Sequence, residues 1–207
     1  MSFVRSVVFL SFLIAGTLVT GTWSCKSPAR RNPADITYEN GAGKSRTVKL
    51  PDGSSVAMSA RTVIRISQKF GQTERDLELD GEAIFTVNGD AGKPFIVHTR
   101  NLQIQVLGTL FKVDAYASNA GEEVDVLSGK LKVTKSYHSD TDNEPEIIGP
   151  GEMVMINRDI DLMEKEKLDS AEWKTLREKV QAMGTPLGAD SPVRDSSGSA
   201  VGTPGSK

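Results

Sequence analysis

The chain has little of what several classes of protein depend on. Among its 207 residues there is one cysteine, Cys25, so no intrachain disulfide or thiolate metal cluster can form. The two histidines, His98 and His138, lie far apart without the spacing of zinc ligands. Lys and Arg (25) nearly balance Asp and Glu (27), which leaves no field to attract nucleic acid. We therefore expect no metal site, no cofactor and no nucleic-acid partner.

Enzymatic motifs are also missing. The sequence contains no nucleophile elbow, no phosphate-binding glycine loop, no zinc-protease motif and no catalytic Cys–His pairing. We expect a protein that is not an enzyme and that has no catalytic residues.

The N-terminal segment predicts export from the cytoplasm. Residues 6–24 carry no charge, Arg5 provides a positive flank, and small residues precede Cys25. This pattern is typical of a secretory signal, although the uncharged run is also long enough for an uncleaved membrane anchor. The stretch Thr22-Trp23-Ser24-Cys25 resembles a bacterial lipoprotein signal, which implies that Cys25 is the lipid attachment residue.

Each alternative predicts the same side of the membrane for the rest of the chain. We expect a protein in the cell envelope that faces the periplasm and is anchored by lipid at Cys25, or else a single-pass inner-membrane protein with an N-terminal anchor. Lys26 is not the aspartate that marks inner-membrane retention in many lipoproteins, so the outer membrane is favoured.

Composition divides the chain into five segments. We predict a signal peptide over 1–24, a polar tether over 25–43, a β domain over 44–168, a helix over 169–183 and a disordered tail over 184–207. The β domain shows apolar–polar alternation between closely spaced turn signals, which predicts an all-β fold of about eleven short strands. An irregular sandwich or a β-solenoid-like module would both fit this pattern.

The C-terminal helix should dock on the β domain through Trp173. Asp169 is the expected N-cap, and Glu172 stands at the capping-box distance. Trp173 begins an apolar stripe, and a helix of this length needs a packing partner in water. Within the β domain, Gly81 predicts a bulge or a corner, where Arg75 and Glu82 are expected to form an ion pair.

The central region resembles the periplasmic domain of the FecR family, sensors in the cell-surface signalling systems of iron-siderophore uptake. Six segments in the family's order carry the resemblance: Leu50-Pro51-Asp52-Gly53, Arg75-x-Leu77-x-Leu79-x-Gly81-Glu82-Ala83-x-Phe85-x-Val87, Pro94-Phe95-x-Val97, Val106-x-Gly108-Thr109-x-Phe111-x-Val113-x-Ala115-Tyr116, Val126-x-x-Gly129-x-x-x-Val133 and Pro150-Gly151-Glu152. The resemblance implies a binding or sensing module.

Only five residues precede the apolar run, too few for the cytoplasmic helical domain with which family members hold a sigma factor. We therefore do not expect direct sigma-factor binding. The expected partner is another envelope protein or a cell-wall polymer. The alternative is a structural envelope lipoprotein with no signalling role.

The lipid anchor is directly testable. Labelled palmitate should be incorporated into the wild-type protein and not into Cys25→Ala, because the thiol is the acceptor. Equal labelling of the variant, or retention of its complete N-terminus in mass spectrometry, would instead support the uncleaved anchor.

The predicted tail can be tested by truncation. Residues 184–207 offer few apolar groups to bury, so ending the chain after Met183 should shift Tm by no more than about 2 °C. A loss of many degrees in a thermal melt would show that this segment packs on the domain.

Overall fold

The computed structural model describes residues 36–185, and these form thirteen strands and one helix. The predicted signal peptide, Cys25, the tether up to residue 35 and the tail from residue 186 lie outside the described residues. No helix within residues 36–185 is long and apolar enough to cross a membrane.

The strands are short, as the closely spaced turn signals predict. Their bounds are β1 Ile36–Asn40, β2 Arg46–Lys49, β3 Ser55–Met58, β4 Thr62–Ile66, β5 Asp76–Thr86, β6 Phe95–His98, β7 Leu102–Val106, β8 Leu110–Ala115, β9 Gly121–Ser128, β10 Leu131–Lys135, β11 Glu146–Ile148, β12 Glu152–Asn157 and β13 Leu162–Lys167. Helix α1 follows at Ser170–Ala182.

The strands form two sheets that share β5. Sheet 1 has the order β1-β4-β5-β6-β7-β10-β11, and sheet 2 has the order β2-β3-β5-β8-β9-β12-β13. The first half of β5 pairs with β4 and β6 in sheet 1, and its second half pairs with β3 and β8 in sheet 2. Every pairing is antiparallel except that of β5 with β6. The all-β prediction is confirmed, in the form of an irregular sandwich.

Gly81 is the point at which β5 passes from one sheet to the other. Its φ of +118° lies in a region that side-chain-bearing residues rarely adopt. A Cβ at this position would lie 2.7 Å from Thr62, which is too close. The Thr62 hydroxyl is bonded to both backbone polar groups of Glu82, and so holds the two crossing strands together. The predicted corner is confirmed.

The main core lies between the sheets. The inward residues of β5 include Leu77 and Leu79 in sheet 1 and Phe85 in sheet 2, and all belong to one buried cluster. Phe85 stacks on Phe111 with ring centroids 5.0 Å apart, and meets Phe95 edge to face at 6.2 Å. All three rings are fully buried, as expected for core residues.

Long cationic side chains connect the two sheets at both open ends. Arg46 of β2 donates to the carbonyl of Glu39 in β1 at 2.9 Å. At the opposite end, Lys165 of β13 donates to the carbonyl of Ile147 in β11 at 2.8 Å. These bonds occupy two backbone carbonyls at the edges of the sheets, where unpaired backbone groups invite pairing with other chains.

Helix α1 packs on the outer face of sheet 2, as predicted. Asp169 is its N-cap and forms the complete capping box with Glu172. Leu176 and Val180 are the residues that the helix buries, whereas Trp173 is only half-buried and packs at the edge of the same apolar cluster. The helix therefore docks mainly through the two aliphatic residues.

The sequence-based boundaries need two corrections. Residues 36–40, which were expected in the tether, form β1 because Ile36, Tyr38 and their neighbours pair along the full length of β4. Thr185, which was expected in the tail, is buried, and its N–H donates to Val180 at the end of the helix. There are also thirteen strands rather than about eleven, since β1 and the three-residue β11 carry little apolar alternation.

The predicted ion pair between Arg75 and Glu82 is wrong. Arg75 lies 3.3 Å from the carboxylate of Asp52, and both side chains are almost fully buried. The guanidinium also donates to the carbonyls of Asn88 at 2.8 Å and Lys93 at 2.7 Å, and lies over the Phe95 ring. Arg75 thus holds the turn at Asp52 against the loop after β5, at the far end of that strand from the helix.

This buried pair should contribute far more stability than an exposed one. Arg75→Met should lower the free energy of unfolding by about 3–5 kcal/mol, because it leaves the Asp52 carboxylate buried without a cation. The control Arg65→Met removes an exposed pair with Glu78 at 3.8 Å and should cost less than about 1 kcal/mol. Urea denaturation measures both, and equal losses would contradict the assigned role of Arg75.

Candidate functional site: a groove beside the helix

Sheet 2 is apolar on both faces in its centre. Ala57, Ile84, Leu110 and Leu127 point away from the main core and form a second buried cluster with the helix. These four residues lie on β3, β5, β8 and β9, which are adjacent in sheet 2. The helix therefore covers the centre of the outer face.

Next to this contact, α1 and the outer face of sheet 2 enclose a groove of about 490 Å³, which we call the α1 groove. On the sheet side it is lined by Lys112, Glu123, Asp125, Met153, Met155 and Glu166. The helix contributes Glu172, Leu176 and Lys179. The groove is thus a concave surface with apolar and charged groups side by side.

Lys112 is the centre of a charged cluster on the sheet side. Its ammonium lies 2.6 Å from the carboxylates of both Glu123 and Asp125. Lys112 and Asp125 are almost fully buried, whereas the side chain of Glu123 is 38% exposed. Lys112 on β8 and Asp125 on β9 stand directly opposite each other in the pairing of these two strands. One buried cation is therefore shared by two acids.

Burial and charge shift the pKa values of this cluster. Burial raises the pKa of Asp125 to about 6 against the attraction of Lys112, and the neighbouring Glu123 charge adds to the rise. Although burial opposes its charged form, Lys112 has a raised pKa because Asp125 and Glu123 both stabilise the ammonium. Glu123 is partly buried, but its bond to Lys112 lowers its pKa. The cluster holds more negative charge than Lys112 can neutralise.

Glu82 connects the helix to the corner of β5. Its carboxylate accepts a hydrogen bond from the Ser59 hydroxyl at 2.6 Å, and lies 2.6 Å from the ammonium of Lys179 on α1. Glu82 is buried, and Lys179 is 42% exposed at the edge of the groove. Glu82 therefore pairs with the helix and not with Arg75, because the turn at Gly81 directs its side chain to the outer face of sheet 2.

The sequence singled out only Cys25 as a site residue, and Cys25 lies outside the described residues. Residues 36–185 contain no group of three or more His, Cys, Asp or Glu side chains placed to hold a metal ion. His98 lies at the surface, 3.4 Å from Asp76, and His138 is exposed. The groove itself was not predicted.

One sequence signal could have indicated a covered outer face. The runs Ala83-Ile84-Phe85, Leu110-Phe111 and Val126-Leu127 place apolar residues on both faces of their strands. Such runs are typical of strands buried on both sides. Lys112 and Asp125 gave no comparable signal, because a charge at every second position of a strand is also what an exposed face predicts.

Comparison with known proteins gives matches to one family. The family model described as FecR protein matches residues 36–132, which extend from β1 into β10. No curated protein matches the chain at a significant level. Strands β11 to β13 and helix α1 follow the matched region, so the groove combines Lys112, Glu123 and Asp125 from within it with residues from beyond it.

Two crystal structures are similar to this chain, and both are of a protein from Parabacteroides distasonis that is proposed to be an anti-sigma factor. The structure at 2.50 Å resolution has a TM-score of 0.61 and 31% identity, and that at 1.65 Å has 0.60 and 32%. The similarity covers 69% of this chain and 64% of each of those chains, so the chain spans less than two thirds of their length.

The family model, the two structures and the order of the sequence motifs agree. Residues 36–132 of this chain match the FecR family, and the two similar structures resemble the chain over 69% of its length.

Proposed function

We propose that this protein is a binding and sensing module of the bacterial cell envelope that takes part in trans-envelope signalling linked to iron-siderophore uptake. The match of residues 36–132 to the FecR family model and the similarity to a proposed anti-sigma factor support a signalling role. The proposal includes a periplasm-facing position, with lipid at Cys25 as the membrane anchor. It does not include direct binding of a sigma factor.

The single observation that carries the binding role is the α1 groove. Met155 is 43% exposed within it, beside the almost fully buried charges of Lys112 and Asp125. Exposed apolar surface in a groove with fixed charges is typical of a surface that binds another molecule. A module that only fills space in the envelope would not need such a surface.

We also propose that the module is not an enzyme. The buried charged groups of the groove are engaged with each other, with Lys112 between Glu123 and Asp125 and Lys179 on Glu82. The Ser59 hydroxyl lies beside Glu82, but this carboxylate is already paired with the Lys179 ammonium, which makes it a poor base for activating a nucleophile. The arrangement suits recognition of a charged partner.

The signalling role can be tested in the native bacterium by transcription of its siderophore-receptor genes with and without iron. Deletion of the gene should reduce the difference in transcription between iron-rich and iron-poor cells about fivefold or more, which is the usual scale of coupling between sites. Met155→Arg should have the same effect, because the larger cationic side chain would fill the groove. The matched control is Ile147→Arg, at a residue 51% exposed on the other sheet, which should behave as the wild type.

The same strains distinguish the structural alternative. Protein abundance and thermal melts establish first that both variants fold. If deletion leaves iron-dependent transcription unchanged but makes the cells sensitive to detergent, the protein is a structural envelope lipoprotein and the signalling proposal is wrong.

A further inference from the structure

We propose that the α1 groove receives a basic amphipathic segment of a partner protein, with apolar side chains on its methionines and Lys or Arg side chains on its acidic rim. This inference rests on the proposed function, since it names the chemistry of the partner that the module binds. It follows from the apolar floor, the charge and the size of the groove.

The floor of the groove is apolar and adaptable. Met153 and Met155 both point outward from β12, because alternate residues of a strand share a face, and Leu176 of the helix lies across from them. Met153 and Leu176 are buried, but Met155 is 43% exposed. Methionine side chains are flexible and polarisable, and are common on surfaces that bind peptide segments of varied sequence.

The groove has an excess of negative charge. Its lining includes four carboxylates, on Glu123, Asp125, Glu166 and Glu172, and two ammonium groups, on Lys112 and Lys179. Both ammonium groups are already engaged, Lys112 by two of these acids and Lys179 by Glu82.

The two rim acids are the ones without a counter-ion. Glu166 and Glu172 are exposed and form no ion pair with any residue in 36–185. Glu166 stands on β13 and Glu172 on α1, so uncompensated charge lies on both sides of the groove. A cationic segment placed between them would meet complementary charge on each side.

The state of Asp125 agrees with this inference. Burial is the main cause that raises its pKa to about 6, and the nearby Glu123 charge adds to the rise. A cation entering the groove would favour the ionised form of Asp125 and lower its pKa.

The groove is large enough to receive several side chains of one segment. Its volume of about 490 Å³ is within the range of about 300–1,000 Å³ of ligand sites. Its two rim acids stand on a strand and on a helix, and Met153, Met155 and Leu176 form its apolar floor. One segment can fill the groove with apolar side chains on the methionines while its cationic side chains contact the rim acids.

Peptide binding to the full-length protein in detergent tests the inference. Three synthetic peptides of equal length serve as probes: an amphipathic Leu–Arg helix, its Leu–Glu counterpart and a polar Ser–Arg peptide. Calorimetry should show Leu–Arg binding at least about tenfold more tightly than either other probe, a difference of about 1.4 kcal/mol. Added salt should weaken it, because the rim is exposed.

Matched variants locate the binding. Glu166→Gln combined with Glu172→Gln should weaken Leu–Arg binding about fivefold or more, whereas the control Glu78→Gln, an exposed acid on sheet 1, should leave it unchanged. Met155→Ser should also weaken Leu–Arg binding, because it removes apolar surface from the floor of the groove. Glutamine at 172 retains the side-chain acceptor of the capping box, so the helix is preserved.

Three outcomes would overturn the inference. Equal binding of Leu–Arg and Ser–Arg would show non-specific attraction of cations. The same conclusion would follow if Glu78→Gln weakened Leu–Arg binding as much as the double variant at Glu166 and Glu172. Equal binding of Leu–Glu would show that the acidic rim has no role. Tighter Leu–Arg binding by a Lys26→Gln, Arg30→Gln, Arg31→Gln variant would show that the chain's own basic residues occupy the groove.

The signalling proposal and the basic-segment proposal can be disproved independently of each other. If Leu–Arg does not bind but Met155→Arg still abolishes the iron response, the signalling role stands and the partner has a different chemistry. If Leu–Arg binds as expected but the iron response survives deletion, the groove binds basic segments in another process.

Discussion

Strand β5 belongs to both sheets, and most of the structure depends on the bend at which it passes from one sheet to the other. Its eleven residues pair with four other strands, two before Gly81 and two after it. The φ of +118° at Gly81 and the close approach of Thr62 exclude any larger residue at the crossing. Because this one strand contributes inward residues to both sheets, the two sheets share a single buried core. The same crossing turns Glu82 outward, to the place where the helix can reach it.

Two clusters of buried charge lie beside this strand, with different consequences. Arg75, just before β5, is enclosed by Asp52 and by backbone carbonyls, so its positive charge is satisfied within the domain. At the groove, Lys112 is shared between two acids and Glu82 depends on an exposed lysine of the helix. A buried charge stabilises a fold only when it is fully paired. The first cluster therefore supports the fold, whereas the second leaves negative charge available to a partner.

Much of the fold could be predicted from local pattern, and the reasons for the failures are physical. The start of the helix was predictable because Asp169 and Glu172 form their capping box with backbone groups only two or three residues away. The corner at Gly81 was predictable because only glycine suits it. The partner of Arg75 was not, since Asp52 lies 23 positions away and meets it only after both sheets have formed. The α1 groove depends in the same way on elements that are far apart in the sequence, namely β8, β9, β12, β13 and α1. Nothing local to Met155 or Asp125 indicates that these elements meet.

The outermost strand of sheet 2 has a consequence for how copies of the domain meet. Strand β13 alternates Glu164, Lys165, Glu166 and Lys167, and its far edge is not paired with another strand of residues 36–185. If two copies joined these edges in antiparallel fashion around a twofold axis, residues on the same face would stand opposite each other. Lys165 would then face its own copy, and Glu164 would face Glu166, which repel. Like charges would therefore meet along the joined edge, which disfavours pairing of two copies of the domain through β13.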